Sequence, residues 1–152
     1  MLSFEIFQEA LPFEKFLERY GTPADRSRWE QTRADVALSA EQKALLKLFT
    51  RTTNVLVLAG AWCGDCSEQC PIFERFAEAA PILAIRYLDR DAFSEVQNEL
   101  RINGGNRVPV VVFFSEDGHE VARFTDRPHS PYPALLRSVD PEGDVEHHRL
   151  AA

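Results

Sequence analysis

The chain has three cysteines, Cys63, Cys66 and Cys70, all within "AWCGDCSEQCP" from Ala61 to Pro71. Cysteine does chemistry as the thiolate, either as a nucleophile toward disulfides or as a metal ligand. Two readings therefore compete. Cys63 and Cys66 form a C-x-x-C pair that can close a disulfide within one helical turn, so an attacking and a resolving thiol lie in reach of each other. Alternatively, "CGDCSEQCP" matches C-x2-C-x3-C-P, the tail of a ferredoxin-type cluster motif, and would hold a metal or iron–sulfur group through Cys63, Cys66 and Cys70. That reading lacks a fourth ligand, and the upstream cysteine of the motif is absent. Structural zinc wants a second Cys or His pair, and His119, His129, His147 and His148 have no such spacing to the cysteines. Dithiol exchange is the stronger expectation, with no metal ligand and no bound cofactor needed.

The surrounding pattern says how the thiols are held. "NVLVLAGA" is a near-continuous apolar run, as a buried strand shows. A helix is expected from about Gly64 to Ala80, so Cys63 sits where a strand ends and a helix begins. Unpaired N–H groups and the helix dipole there favour an anion, here the Cys63 thiolate. Asp65, with Gly64 between the cysteines, is expected to tune the couple: a nearby carboxylate disfavours the thiolate and pushes toward stronger reducing power. Cys66, Cys70, Phe73, Ala77 and Ala80 recur at spacings of four and three, a core-facing stripe, while Glu68, Glu74, Arg75 and Glu78 point elsewhere. Cys70 is then a buried free thiol acting as a small apolar residue; the alternative makes it a second resolving thiol for Cys66.

After this helix, "ILAIRYL" (Ile82 to Leu88) reads as a strand. Asp91 can cap a helix with Phe93, Val96 and Leu100 on one face, and "NGGN" reads as a loop. "VPVVVFF" (Val108 to Phe114) is a third strand, the "EDG" turn closes a hairpin, and "HEVARF" returns. The order β-α-β-α-β-β predicts a mixed sheet with helices on its faces. Upstream, residues to about Arg51 read as helical. Pro12 separates two short helices, Gly21 ends the second as a C-terminal glycine does, and Asp25 to Leu38 is helical with Trp29 as anchor. "SAEQ" from Ser39 is a capping box opening a helix with Leu45, Leu48 and Phe49. The expected organisation is a helical N-terminal extension over 1–51, a core over 52–126, and a proline-rich segment and loose polar tail over 127–152.

With 152 residues and 45% apolar composition, the chain suits one compact domain. A net charge of −7 argues against nucleic acid and anionic membrane surfaces as partners. The N-terminus has no basic leader followed by an apolar run and does not read as a secretory signal. Three clustered cysteines suit a reducing compartment, so the cytoplasm is the expected location.

These motifs together resemble the thioredoxin family. "WCGDC" resembles that family's active-site motif, Pro71 its kinking proline in the active-site helix, and "RVPVVVFF" its strand opening with a cis-proline; the "EDG" turn and "HEVARF" resemble the closing hairpin. The resemblance covers about Asn54 to Phe124, and the N-terminal helices resemble the extensions of some bacterial thioredoxin-like proteins. It implies an α/β thioredoxin-like fold with a mixed central sheet. It implies Cys63 as the attacking and Cys66 as the resolving catalytic thiol. Trp62 would shape the contact surface, Pro109 would be the cis-proline, and Val108 would offer backbone hydrogen bonds to an extended substrate. Three departures stand out. The family's buried aspartate, six positions before the attacking cysteine, is Val57 here; Asp65 stands where many members carry proline; and "TDRP" replaces the glycine after the last strand. The implied activity is thiol–disulfide exchange, a disulfide reductase acting on a disulfide-containing protein substrate. Its electron donor would be thioredoxin reductase or glutathione. A thioredoxin-like binding module without turnover is the rival.

Overall fold

The computed structural model describes residues 2–101 and 105–125. The expected proline-rich segment with Pro128, Pro131 and Pro133, the polar end after Val139, His129, His147 and His148, and part of the "NGGN" loop lie outside the described residues.

Four helices come first: α1 (Glu5–Glu9), α2 (Phe13–Tyr20), α3 (Pro23–Asp35) and α4 (Ala40–Leu46). Pro12 stands between α1 and α2, at the N-cap of α2. Its fixed φ and missing N–H suit a helix start. Gly21 ends α2, but not in the left-handed conformation expected of it: its φ is −93°. Space is the reason for glycine, since a Cβ there would stand 2.8 Å from the Leu17 carbonyl oxygen. α3 starts with a capping box between Thr22 and Asp25 and has Pro23 in its first turn, a signal in "TPAD" that the sequence reading missed. The Ser39–Gln42 box forms as expected. Its helix is shorter than expected and stops at Leu46, which leaves Leu48 72% exposed and Phe49 exposed beside it. Among the described residues α4 packs mainly on the long helix that carries Cys66 and Cys70, and none of its own residues is buried.

The second part runs β1 (Thr53–Ala59), α5 (Gly64–Ala79), β2 (Leu83–Asp89), α6 (Ser94–Glu99), β3 (Val110–Phe114) and β4 (Glu120–Thr125). The sheet order is β2-β1-β3-β4, with β1 and β2 parallel and the other pairs antiparallel. The fold is the mixed α/β arrangement that the alternation of patterns predicts. Gly118, at φ 79°, closes the β3–β4 turn, where the Ser115 carbonyl accepts its N–H at 3.0 Å. Asp91 does not cap α6. Asp89 accepts the N–H groups of Asp91 (3.1 Å) and Ala92 (2.9 Å) instead, because β2 delivers its carboxylate directly beneath that turn.

α1, α2 and α3 share one core with the sheet. Phe13, Phe16 and Trp29 surround the Tyr87 ring, with centroids 5.7–6.2 Å from it. Leu11 pairs with Tyr87 through two backbone hydrogen bonds, of 2.8 and 2.7 Å, covering the outer edge of β2. Aromatic rings of this size each bury about 150–250 Å² and dominate such a core. No helix among the described residues is long and apolar enough to cross a membrane.

Candidate active site

The buried run of β1 carries the chain to the sheet's end, where it turns through Gly60, Ala61 and Trp62 into α5. Cys63 is the N-cap of α5, and its carbonyl accepts the Ser67 N–H at 3.0 Å. The Cys63 N–H in turn donates to the Gly60 carbonyl at 3.0 Å. Gly60 is a requirement of this turn: a Cβ there would stand 2.7–2.9 Å from the Trp62 ring, so only glycine lets the indole lie back against the backbone. Trp62 remains 48% exposed. The Arg90 guanidinium covers its ring at 4.6 Å and donates to the Asn106 carbonyl at 2.9 Å, linking the ring to the segment before Val108.

The N-terminal helices hold the same turn from behind. The Trp29 indole N–H donates to the Ala61 carbonyl at 2.8 Å, and Arg28 reaches the Trp62 carbonyl at 3.4 Å. Trp29 was expected as a packing anchor only. Neither Gly60 nor Arg90 stands out in the sequence, nor does the bond from Trp29, because each acts on Ala61 or Trp62 through a contact that no local periodicity records.

Cys63 is partly exposed, while Cys66 and Cys70 are fully buried, all three as free thiols. The Cys63 Sγ–H points at the Val108 carbonyl oxygen, 3.8 Å away, and the Val108–Pro109 peptide bond is cis. Trp62, Cys63, Asp65, Arg90, Asn106, Arg107 and Val108 line one shallow cavity of about 340 Å³. Val108 and Pro109 lead into β3 rather than belonging to it, so the strand starts two residues later than expected.

The expected preference of Cys63 for the thiolate is not what this reduced site favours. The N–H groups of Asp65 and Cys66, at the start of α5, do stabilise an anion on Cys63. Its hydrogen-bonding contact with the Cys66 thiol and its partial burial outweigh them and push the Cys63 pKa up. Burial, first, also pushes Cys66 up, opposed by its contact with Cys63 and reinforced by one with Cys70. Asp65 contributes its backbone N–H to Cys63, and Gly64 has open space around it.

Further along α5, Glu74 does not point away as its place in the helical pattern predicts. It is half-buried and accepts the Tyr87 hydroxyl at 3.4 Å, while that hydroxyl also lies 3.3 Å from the Cys70 carbonyl. Burial raises the Glu74 pKa, and the Arg33 charge opposes this. Val57 is fully buried in β1, between Tyr87 and Val111 in register. Among the described residues, no three His, Cys, Asp or Glu side chains are grouped to hold a metal.

The fold has parallels among solved structures. A protein of unknown function from Pseudomonas aeruginosa superposes with a TM-score of 0.74 at 20% identity, over 93% of this chain and 84% of its own. An HIV epitope-scaffold superposes at 0.72 with 19% identity, over 86% of this chain and 79% of its own. Fasciola hepatica thioredoxin is 24% identical over 64% of this chain and 91% of its own, with a TM-score of 0.43. The sequence model of the family described as Thioredoxin matches residues 10–134, from within the N-terminal helices onward, and the chain belongs to the thioredoxin family.

Proposed function

We propose that the protein is a thiol–disulfide oxidoreductase that reduces protein disulfides through Cys63 and Cys66. The observation that carries this reading is the placement of the Cys63 sulfur. It is partly exposed at a helix start, in contact with the buried Cys66 thiol, and faces the Val108 carbonyl beside the cis Val108–Pro109 bond. A substrate segment would lie extended between Trp62 and Val108–Pro109. Cys63, as thiolate, attacks one substrate sulfur; the substrate disulfide breaks, its other sulfur leaves and takes a proton, and a mixed disulfide remains. Cys66 then loses its proton and attacks the Cys63 sulfur, which releases the second substrate thiol and leaves the Cys63–Cys66 disulfide. Thioredoxin reductase or glutathione would return the two electrons, with the cytoplasm as the compartment whose poise suits a reductase.

One observation favours a second reading, a binding module without turnover. Both thiols are biased toward the protonated form, and Val57 offers no acid to accept the Cys66 proton. Reduction of insulin in the presence of a small dithiol separates the two. The reductase reading expects activity that Cys63→Ser abolishes, and a stable mixed disulfide in Cys66→Ser. Absence of both, with partner binding unchanged in Cys63→Ser, would establish the binding module instead.

A further inference from the structure

Resting on the assignment of Cys63 and Cys66 as the exchanging pair, we infer that Cys70 is a third redox thiol. In this reading the Cys63–Cys66 disulfide isomerises to Cys66–Cys70, which frees Cys63 while the oxidation is stored in the core.

Three observations carry this. First, the Cys66 thiol interacts with both the Cys63 and the Cys70 thiol, so one can enter as the other leaves. Second, the helix places Cys66 and Cys70 on one buried face. Four residues along a helix separate Cα atoms by about 6 Å, inside the span of roughly 4.4–6.8 Å of a disulfide. They leave the Cβ atoms about 5–6 Å apart, against the roughly 3.5–4.5 Å of a disulfide, so the turn between them must tighten for the bond to close. Third, Pro71 lies inside α5. It has no N–H to give the Ser67 carbonyl, so the turn between the two thiols lacks a hydrogen bond and yields more readily than a regular turn. Beyond that turn, the Tyr87 hydroxyl on the Cys70 carbonyl fixes the far side.

The step balances without an outside oxidant. The Cys70 thiol gives up its proton and bonds to the Cys66 sulfur. The Cys63–Cys66 bond breaks, and Cys63 leaves as the thiolate and takes up a proton. One disulfide is consumed and one is formed. The consequence is a change of working mode. With Cys66 tied to Cys70, Cys63 still attacks a partner but no resolving thiol is free, so the mixed disulfide persists.

The test refolds the reduced, denatured full chain through a glutathione redox buffer, so that burial does not limit access. The wild type, Cys63→Ser and Cys70→Ala are compared by acid quenching, alkylation after unfolding, and disulfide mapping by mass spectrometry. In Cys63→Ser, which keeps only the inner pair, a Cys66–Cys70 disulfide is expected. In the oxidised wild type, at least about one molecule in ten should carry Cys66–Cys70 with Cys63 free to alkylate, the ratio for couples within ~30 mV of each other. Cys70→Ala should form Cys63–Cys66 alone. If Cys63→Ser keeps two free thiols, or holds a lasting glutathione adduct on Cys66, while Cys70→Ala closes Cys63–Cys66, the third-thiol role is overturned and the exchanging pair stands. If Cys70→Ala closes no disulfide at a poise that oxidises the wild type, the exchanging pair falls and this inference with it.

Discussion

The Trp29 indole N–H is bonded to the Ala61 carbonyl at 2.8 Å, two residues before Cys63. A helix outside the sheet thus fixes the backbone from which Cys63 projects. Trp29 is fully buried, so loss of the bond leaves an unsatisfied carbonyl. Trp29→Phe is expected to cost about 1–3 kcal/mol for that acceptor, in addition to lost packing. Denaturant unfolding measures it. The variant retains Trp62 as its one tryptophan, so its fluorescence reports the site directly: a broadened or red-shifted Trp62 signal is expected, and an unchanged signal and midpoint would show that the bond positions nothing.

The thiols differ in access and share a direction of titration. In the reduced protein near neutral pH, alkylation should reach Cys63 first and Cys66 and Cys70 only as the chain opens, because the latter two are fully buried. Since the Cys63 pKa is raised, its thiolate fraction should climb about tenfold per pH unit through neutrality without levelling off. A plateau below neutral pH would mean that the helix start wins after all. The sign for stability follows from the same shift. A thiol whose pKa is higher folded than unfolded holds its proton better when folded, so its contribution is present below the unfolded value of about 8.5 and is lost as pH rises above it. The reduced protein should therefore lose stability in mild alkali, and the oxidised protein, with Cys63 and Cys66 no longer titrating, should lose less.

The location of the site was legible because its flanks are periodic. The apolar run before Ala61 and the four-three stripe from Cys66 to Ala80 require a strand and a helix to meet at Cys63. What fixes the site was not legible, since Trp29 meets Ala61, and Tyr87 meets Glu74, across long stretches of chain. The apolar spacing at Leu45, Leu48 and Phe49 misled in the other direction: periodicity marks a face, and among the described residues that face stays exposed. Glu74 shows the converse, a residue that periodicity places outward but that a buried hydroxyl draws in.

Glu74 supplies a prediction of its own. Burial raises its pKa, so the folded chain binds a proton there more tightly than the unfolded one. Its favourable contribution is present below the unfolded value of about 4.3 and is lost as pH rises through the raised folded value. Glu74→Gln keeps an acceptor for the Tyr87 hydroxyl and removes the charge. Between mildly acidic and neutral pH the variant should gain stability relative to wild type, as thermal unfolding across that range would record. A constant difference at all pH values would mean that the carboxylate is solvated in both states.

Val57 is where the proposed chemistry is most exposed to a test. It is fully buried in β1 on the sheet face shared with Tyr87 and Val111, six positions before Cys63. A carboxylate placed there is the nearest thing to a proton acceptor that the Cys66 thiol could be given, and burial holds that thiol protonated. Val57→Asp should therefore speed release of the mixed disulfide near neutral pH. The same substitution carries a penalty: an unpaired buried charge costs several kcal/mol, and the aspartate escapes it by staying protonated until its own raised pKa is passed. The rate gain should then appear only above that pKa, giving a rise with pH that wild type lacks, alongside a lowered unfolding midpoint. Val57→Asn has nearly the same shape and polarity but no basic carboxylate, so it should share the lost stability and not the faster release. Single-turnover release measured in both variants decides the matter. Equal rates in Asp and Asn at every pH would mean that proton removal from Cys66 does not limit resolution, and that the missing acid is no handicap to this site.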